Sequence, residues 1–170
     1  MNFLKSVFFL TIIALSVSCE NKEQKETEYH QPDLTSFYTS QNIESLNNKS
    51  FYVPVYSEIY SSTEKMSIQL TVTLSIRNTS ISKNSFVKSV DYYNSKGKKI
   101  RNYLSKPIEL KPLQAIDFVV TEADKTGGTG ANFIVKTAGE NSPLLQGIMI
   151  GTLNQQGISY LTEAKEIETY

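Results

Sequence analysis

Residues 67–77, SIQLTVTLSIR, set Ile68, Leu70, Val72, Leu74 and Ile76 against Ser67, Gln69, Thr71, Thr73, Ser75 and Arg77 without a break. A period of two sends successive side chains to opposite faces, so this stretch reads as one strand with a buried and a wet face. Its β-branched residues suit a pleated surface and disfavour a helix. Burying the five apolar side chains contributes about 10 kcal/mol before chain entropy is set against it. A strand of this kind needs a facing layer, and the segments around Phe118, Phe133 and Ile148 are the candidates.

The same alternation recurs in short pieces. Residues 51–60 are aromatic and β-branched, but Pro54 cannot donate to a ladder, which predicts an edge strand or a broken one. Residues 86–93 and 98–103 flank Asn94-Ser95-Lys96-Gly97, a hairpin turn. Further strands are expected at 107–110, 115–121, 133–136, 145–150 and 158–161, with residues 162–168 left as a final helical turn or two. Eight or nine short strands with regular turn signals and no amphipathic helix predict an all-β fold, an antiparallel immunoglobulin-like β-sandwich, with a small closed β-barrel as the alternative. The Cys pair and core Trp of true immunoglobulin domains are absent, so the label is architectural.

The chain ends narrow the organisation. Residues 1–18 carry Lys5, an apolar run at 7–15 too short to span a bilayer, and the small residues Ser16, Val17 and Ser18 before Cys19. This N-terminus resembles that of bacterial lipoproteins, which implies a signal peptide over 1–18 and palmitate-type lipid attachment at Cys19. An ordinary secretory signal cut after Ser18 is the competing reading. Residues 19–50 are polar and charged at first and read as a tether, along which Leu34, Phe37, Tyr38, Ile43 and Leu46 are able to dock on the domain of residues 51–168. Seventeen basic residues balance seventeen acidic ones, which gives no whole-chain field for nucleic acid. One Cys and one His, His30, leave no thiolate or histidine metal cage, and no cofactor is expected.

Three blocks of sequence carry a family likeness: YVPVYSEIY (52–60), LTVTLSIRNT with SVDYYNSKGK (70–79 and 89–98), and GGTGANFIV with MIGT and QGISY (127–135, 149–152 and 156–160). Over residues 51–160 the chain resembles a family of exported bacterial proteins, domain of unknown function 3124 (DUF3124). The resemblance implies export and brings no activity, ligand or catalytic residue. The central block is also similar to bacterial immunoglobulin-like modules of binding proteins, which implies a sandwich.

Three groups of residues have chemistry to offer. In TEADKTGGTGAN (121–132), Gly127, Gly128 and Gly130 allow backbone N–H groups to approach a ligand, and Glu122, Asp124 and Asn132 offer oxygens to a Ca²⁺ ion or a small polar ligand. The competing reading is a tight corner between strands. Lys88, Lys96, Lys98, Lys99, Arg101 and Lys106 accompany Tyr92, Tyr93 and Tyr103 in a basic, aromatic hairpin, either a polyanion-binding tip or lysines guarding an edge. With no His, Cys or Gly-x-Ser-x-Gly elbow in the domain, an enzyme would need paired carboxylates, such as Asp91 with Asp117 or Glu122.

These observations imply an exported, lipid-anchored protein of the bacterial cell envelope, held to the membrane by its N-terminal lipid. Its expected role is a non-enzymatic module that binds an envelope protein or glycan, not nucleic acid. A carboxylate-dependent hydrolase of envelope polymers and a small-ligand carrier, with the glycine loop at its mouth, are the alternatives.

Overall fold

The computed structural model describes residues 32–153 and 156–168. Residues 1–18, Cys19 and His30 lie outside the described residues. Among the described residues the chain forms twelve strands: β1 Asn48–Pro54, β2 Glu58–Tyr60, β3 Ser67–Gln69, β4 Thr71–Arg77, β5 Ser85–Tyr93, β6 Lys99–Asn102, β7 Ile108–Leu110, β8 Ala115–Val120, β9 Asn132–Ala138, β10 Leu144–Leu153, β11 Gln156–Glu163 and β12 Lys165–Ile167. The larger sheet runs β12-β1-β9-β5-β6, with β7 also paired to β5; the smaller runs β11-β10-β4-β8; β2 and β3 form a separate ribbon. Every pairing is antiparallel. None of the sheets closes on itself, so the fold is an all-β sandwich and the barrel alternative falls away.

The inner faces supply one core. Val72, Leu74, Ile76, Phe118, Val120 and Met149 of the smaller sheet meet Val53, Val90, Tyr92, Phe133 and Val135 of the larger, all buried. Tyr103 joins the layers, its ring 5.3 Å from Phe118 and 5.9 Å from Phe133. Aromatic edges at such distances add to the area they bury. Of the three segments expected to face residues 67–77, only β9 with Phe133 does. β8 and β10 flank β4 within its own sheet, and Ile148 turns outward beside Thr73.

Several expectations are corrected. The alternation of residues 67–77 is kept, but the strand is two. At Leu70, whose N–H donates to the Ser57 carbonyl at 2.8 Å, the chain leaves the β2–β3 ribbon and enters the smaller sheet. Pro54 does not mark an edge: β1 lies between β12 and β9, and Pro54 is its last residue, where the missing N–H interrupts no further ladder. Residues 162–168 form no helical turn; they finish β11 and cross to β12, which pairs with β1. The hairpin after β5 closes as expected, with the Asn94 N–H donating to the Lys98 carbonyl at 3.0 Å and Gly97 at φ +72°.

The described part of the tether, residues 32–47, lies along the sandwich. Phe37 and Leu34 pack against the core, Ile43 is buried, and Tyr38 bridges to Ile108. The Glu109 N–H donates to the Phe37 carbonyl at 2.8 Å and the Thr39 N–H to the Pro107 carbonyl at 3.2 Å. This strap therefore occupies the hydrogen-bonding edge of β7.

Candidate functional site

The glycine loop, residues 121–131, joins β8 to β9 at the end of the sandwich where the β1–β2 connection and the β5–β6 hairpin also arrive. Two serines stitch it down. The Gly128 N–H donates to Ser57 Oγ at 2.7 Å, and the Ser57 N–H donates to the Gly128 carbonyl at 3.2 Å. On the other side, Ser95 Oγ accepts from the Gly130 N–H at 2.8 Å and donates to the Gly127 carbonyl at 3.1 Å. The N–H groups of Gly128 and Gly130 are thus spent within the fold. Gly128 sits at φ +78°, a left-handed position that favours glycine. Asn132, nearly buried, begins β9 opposite Pro54 and Tyr93.

The carboxylates of this loop part company. Asp124 is mostly buried: its Oδ2 accepts from Arg101 Nη2 at 2.8 Å, and its Oδ1 accepts from the Thr126 N–H at 2.9 Å and the Thr126 hydroxyl at 2.5 Å. Burial raises its pKa, but the Thr126 bonds and then Arg101 outweigh burial and hold it below the ordinary carboxylate range. Arg101 also donates from Nη1 to the Tyr103 hydroxyl at 2.9 Å. Glu122 is exposed and takes no part in these bonds. Among the described residues no three His, Cys, Asp or Glu side chains are placed to hold a metal ion.

The basic, aromatic hairpin is dispersed in the same way. Tyr92 and Tyr103 belong to the core, Arg101 is tied to Asp124, Lys88 pairs with Glu44 at 3.0 Å, and Lys99 pairs with Asp91 at 3.2 Å. Lys96 and Lys98 remain at an exposed tip, and Lys106 is exposed apart from them in the β6–β7 connection. The carboxylate pair Asp91 and Asp117 is not assembled. Asp91 alternates with buried Val90 and Tyr92, and Asp117 with buried Ile116 and Phe118, so they project from opposite outer faces of the sandwich.

A surface absent from the sequence reading appears on the outer face of the larger sheet. The register places Lys165, Tyr52, Ile134 and Asp91 in one row across four strands, followed by Asn102. Adjacent rows carry Lys136 beside Ser50, and Tyr93 beside Asn132. Tyr52, Ile134 and Tyr93 are half-buried, and Lys136 and Lys165 are exposed with no ion pair among the described residues. The carboxylate of this row, Asp91, is already met by Lys99 and by Asn102 Nδ2 at 2.7 Å. The residues come from four strands far apart in sequence, so only alternation within each strand hinted at them.

No curated protein matches the chain. A solved structure similar to it, the crystal structure of Thermotoga maritima 1070, aligns with a TM-score of 0.45 at 10% identity, covering 71% of this chain and 95% of that one. The profile of the family described as Protein of unknown function (DUF3124) matches residues 48–167, from the first residue of β1 to the last of β12. Spanning the whole sandwich and more than half of the chain, that match makes this protein a member of the DUF3124 family.

Proposed function

We propose that the protein is a lipid-anchored module of the bacterial cell envelope, exported behind residues 1–18 and acylated at Cys19, that binds an anionic envelope glycan without transforming it. The observation that carries the reading is the outer face of the larger sheet. Tyr52 and Tyr93 offer rings for the apolar faces of sugar units, and Lys136 and Lys165, in no ion pair among the described residues, offer positive charge to acidic groups. The two tyrosines lie on strands either side of β9, about 10 Å apart from strand spacing alone, a span suited to a polymer. The hydrolase alternative is weakened by Asp91 and Asp117 facing opposite ways. The small-ligand carrier is weakened by the glycine-loop amides being occupied by Ser57 and Ser95.

Retention on immobilised acidic polysaccharide tests the face. Lys136→Glu with Lys165→Glu is expected to weaken binding at least tenfold at low salt while leaving the melting temperature unchanged; equal retention overturns the reading. Palmitate labelling of the intact cell tests the anchor, with loss of label expected in Cys19→Ser.

A further inference from the structure

We infer that the protein associates with a second copy of itself through the free edge of β11, joining two four-stranded sheets into one of eight. A free edge offers unpaired N–H and C=O groups to any extended chain, and proteins blunt such edges by shortness, charge or cover. Each other edge of the two larger sheets is blunted. β12 has three residues, two of them Lys165 and Glu166. β6 has four, with Lys99 and Arg101. β7 is bridged by the strap at Tyr38. β8, the opposite edge of the smaller sheet, has six residues and carries Asp117 in mid-strand.

β11 has none of these devices. It is eight residues long, pairs along its length with β10, and no strand lies on its other side among the described residues. No ionisable charge occurs from Gln156 through Thr162. Tyr160 and Leu161 are 44% and 57% exposed, and Ile150 on the neighbouring strand is 56% exposed. The strand is held in place, because Thr162 Oγ1 donates to the Pro54 carbonyl at 2.6 Å.

The charge pattern of β11 suits a second copy of the chain as the occupant. An antiparallel pair is self-complementary about a two-fold axis. With the axis at Ser159, Ile158 meets the partner's Tyr160 on the inner side and no like charges face each other. The single acid of the strand, Glu163, would stand about 25 Å from its copy, beyond a Debye length at physiological salt. One shared strand edge buries less than a standard stable interface, so the dimer is weak and concentration-dependent. This contact lies on the smaller sheet, away from the proposed glycan face.

Sedimentation velocity of the purified full chain, followed over a concentration series, is the test. The sedimentation coefficient is expected to climb toward that of a dimer through the micromolar range. Ser159→Lys, which sets two cations opposite one another on an exposed position, is expected to move the midpoint at least tenfold higher. An equimolar mixture of Ser159→Lys and Ser159→Glu is expected to restore it. Association through the N-terminus would be unchanged by all three. A monomer at every concentration, or a dimer indifferent to these substitutions, overturns the inference.

Discussion

A Cβ on Gly127 would stand 1.8 Å from the Tyr92 phenol oxygen, 2.8 Å from its Cζ and 2.9 Å from the Ala131 Cβ. Tyr92 is fully buried and packs 5.0 Å from Phe133, so it has nowhere to withdraw. Gly127→Ala is therefore expected to cost about 3 kcal/mol in denaturant unfolding, the range of an overpacked core. Tyr92→Phe in the same chain should recover part of that loss, since the oxygen is the nearest clash. The phenol oxygen makes no hydrogen bond of good geometry among the described residues, although Ser57 lies close enough to favour its ionised form slightly. Burial dominates and pushes the Tyr92 pKa up to about 12. The folded state thus holds the proton more tightly than the unfolded chain does, at about 10. The resulting stability is complete below pH 10 and is lost as pH rises toward 12. Between those limits the wild type is expected to lose about 2–3 kcal/mol more than Tyr92→Phe, read from paired melts at each pH.

At the scale of elements, the opposite end of the sandwich depends on one amide. Asn78, buried just after β4, donates from Nδ2 to the carbonyls of Lys83 at 2.7 Å, Leu110 at 2.9 Å and Lys111 at 3.0 Å. Its Oδ1 accepts from the Ser80 N–H and from Asn141 Nδ2, both at 3.0 Å. The exit of β4, the approach to β5 and the β7–β8 turn are thereby held together. Asn78→Ala leaves these carbonyls short of donors and is expected to cost about 2–3 kcal/mol, whereas Asn78→Asp, facing three carbonyl oxygens with a carboxylate, should cost more. Chemical denaturation of both variants checks the order. In the sequence Asn78 is only the residue that follows the alternating stretch 67–77. Alternation was legible because it is local: it named Val72, Leu74, Ile76 and Phe118 as core. It did not reveal that the chain changes sheets at Leu70, because the break is made by Ser57, thirteen positions back in the chain. Tyr92 and Tyr103 looked like surface aromatics of a hairpin because a period of two marks two faces without saying which is covered. The glycine loop stood out by composition, while Ser57 and Ser95, which decide how its amides are used, lie 71 and 35 residues from Gly128 and Gly130 and gave no signal.

At the scale of the molecule, the matched family region begins at Asn48, yet the packed structure begins earlier. Residues 32–47 contribute a buried Ile43, the apolar contacts of Leu34 and Phe37, and the hydrogen bonds that fill the β7 edge. The inner core is built without them, from β1 onward, so a chain starting at Asn48 should still fold as a sandwich. It would do so with Ile108, now 0% exposed, nearer to solvent and with the Glu109 N–H deprived of the Phe37 carbonyl. The apolar area uncovered corresponds to a loss of about 2–4 kcal/mol. Removing the strap also opens an edge that carries Ile108 and Leu110, a recognised route to strand addition. The truncated chain is thus expected to melt at lower temperature and to aggregate faster near its midpoint. Hydrogen exchange should separate the two effects: the Glu109 amide loses protection under native conditions, while amides of β4, between β10 and β8, stay protected to the global limit. Unchanged protection at Glu109 would mean that the strap rests on the domain without supporting it.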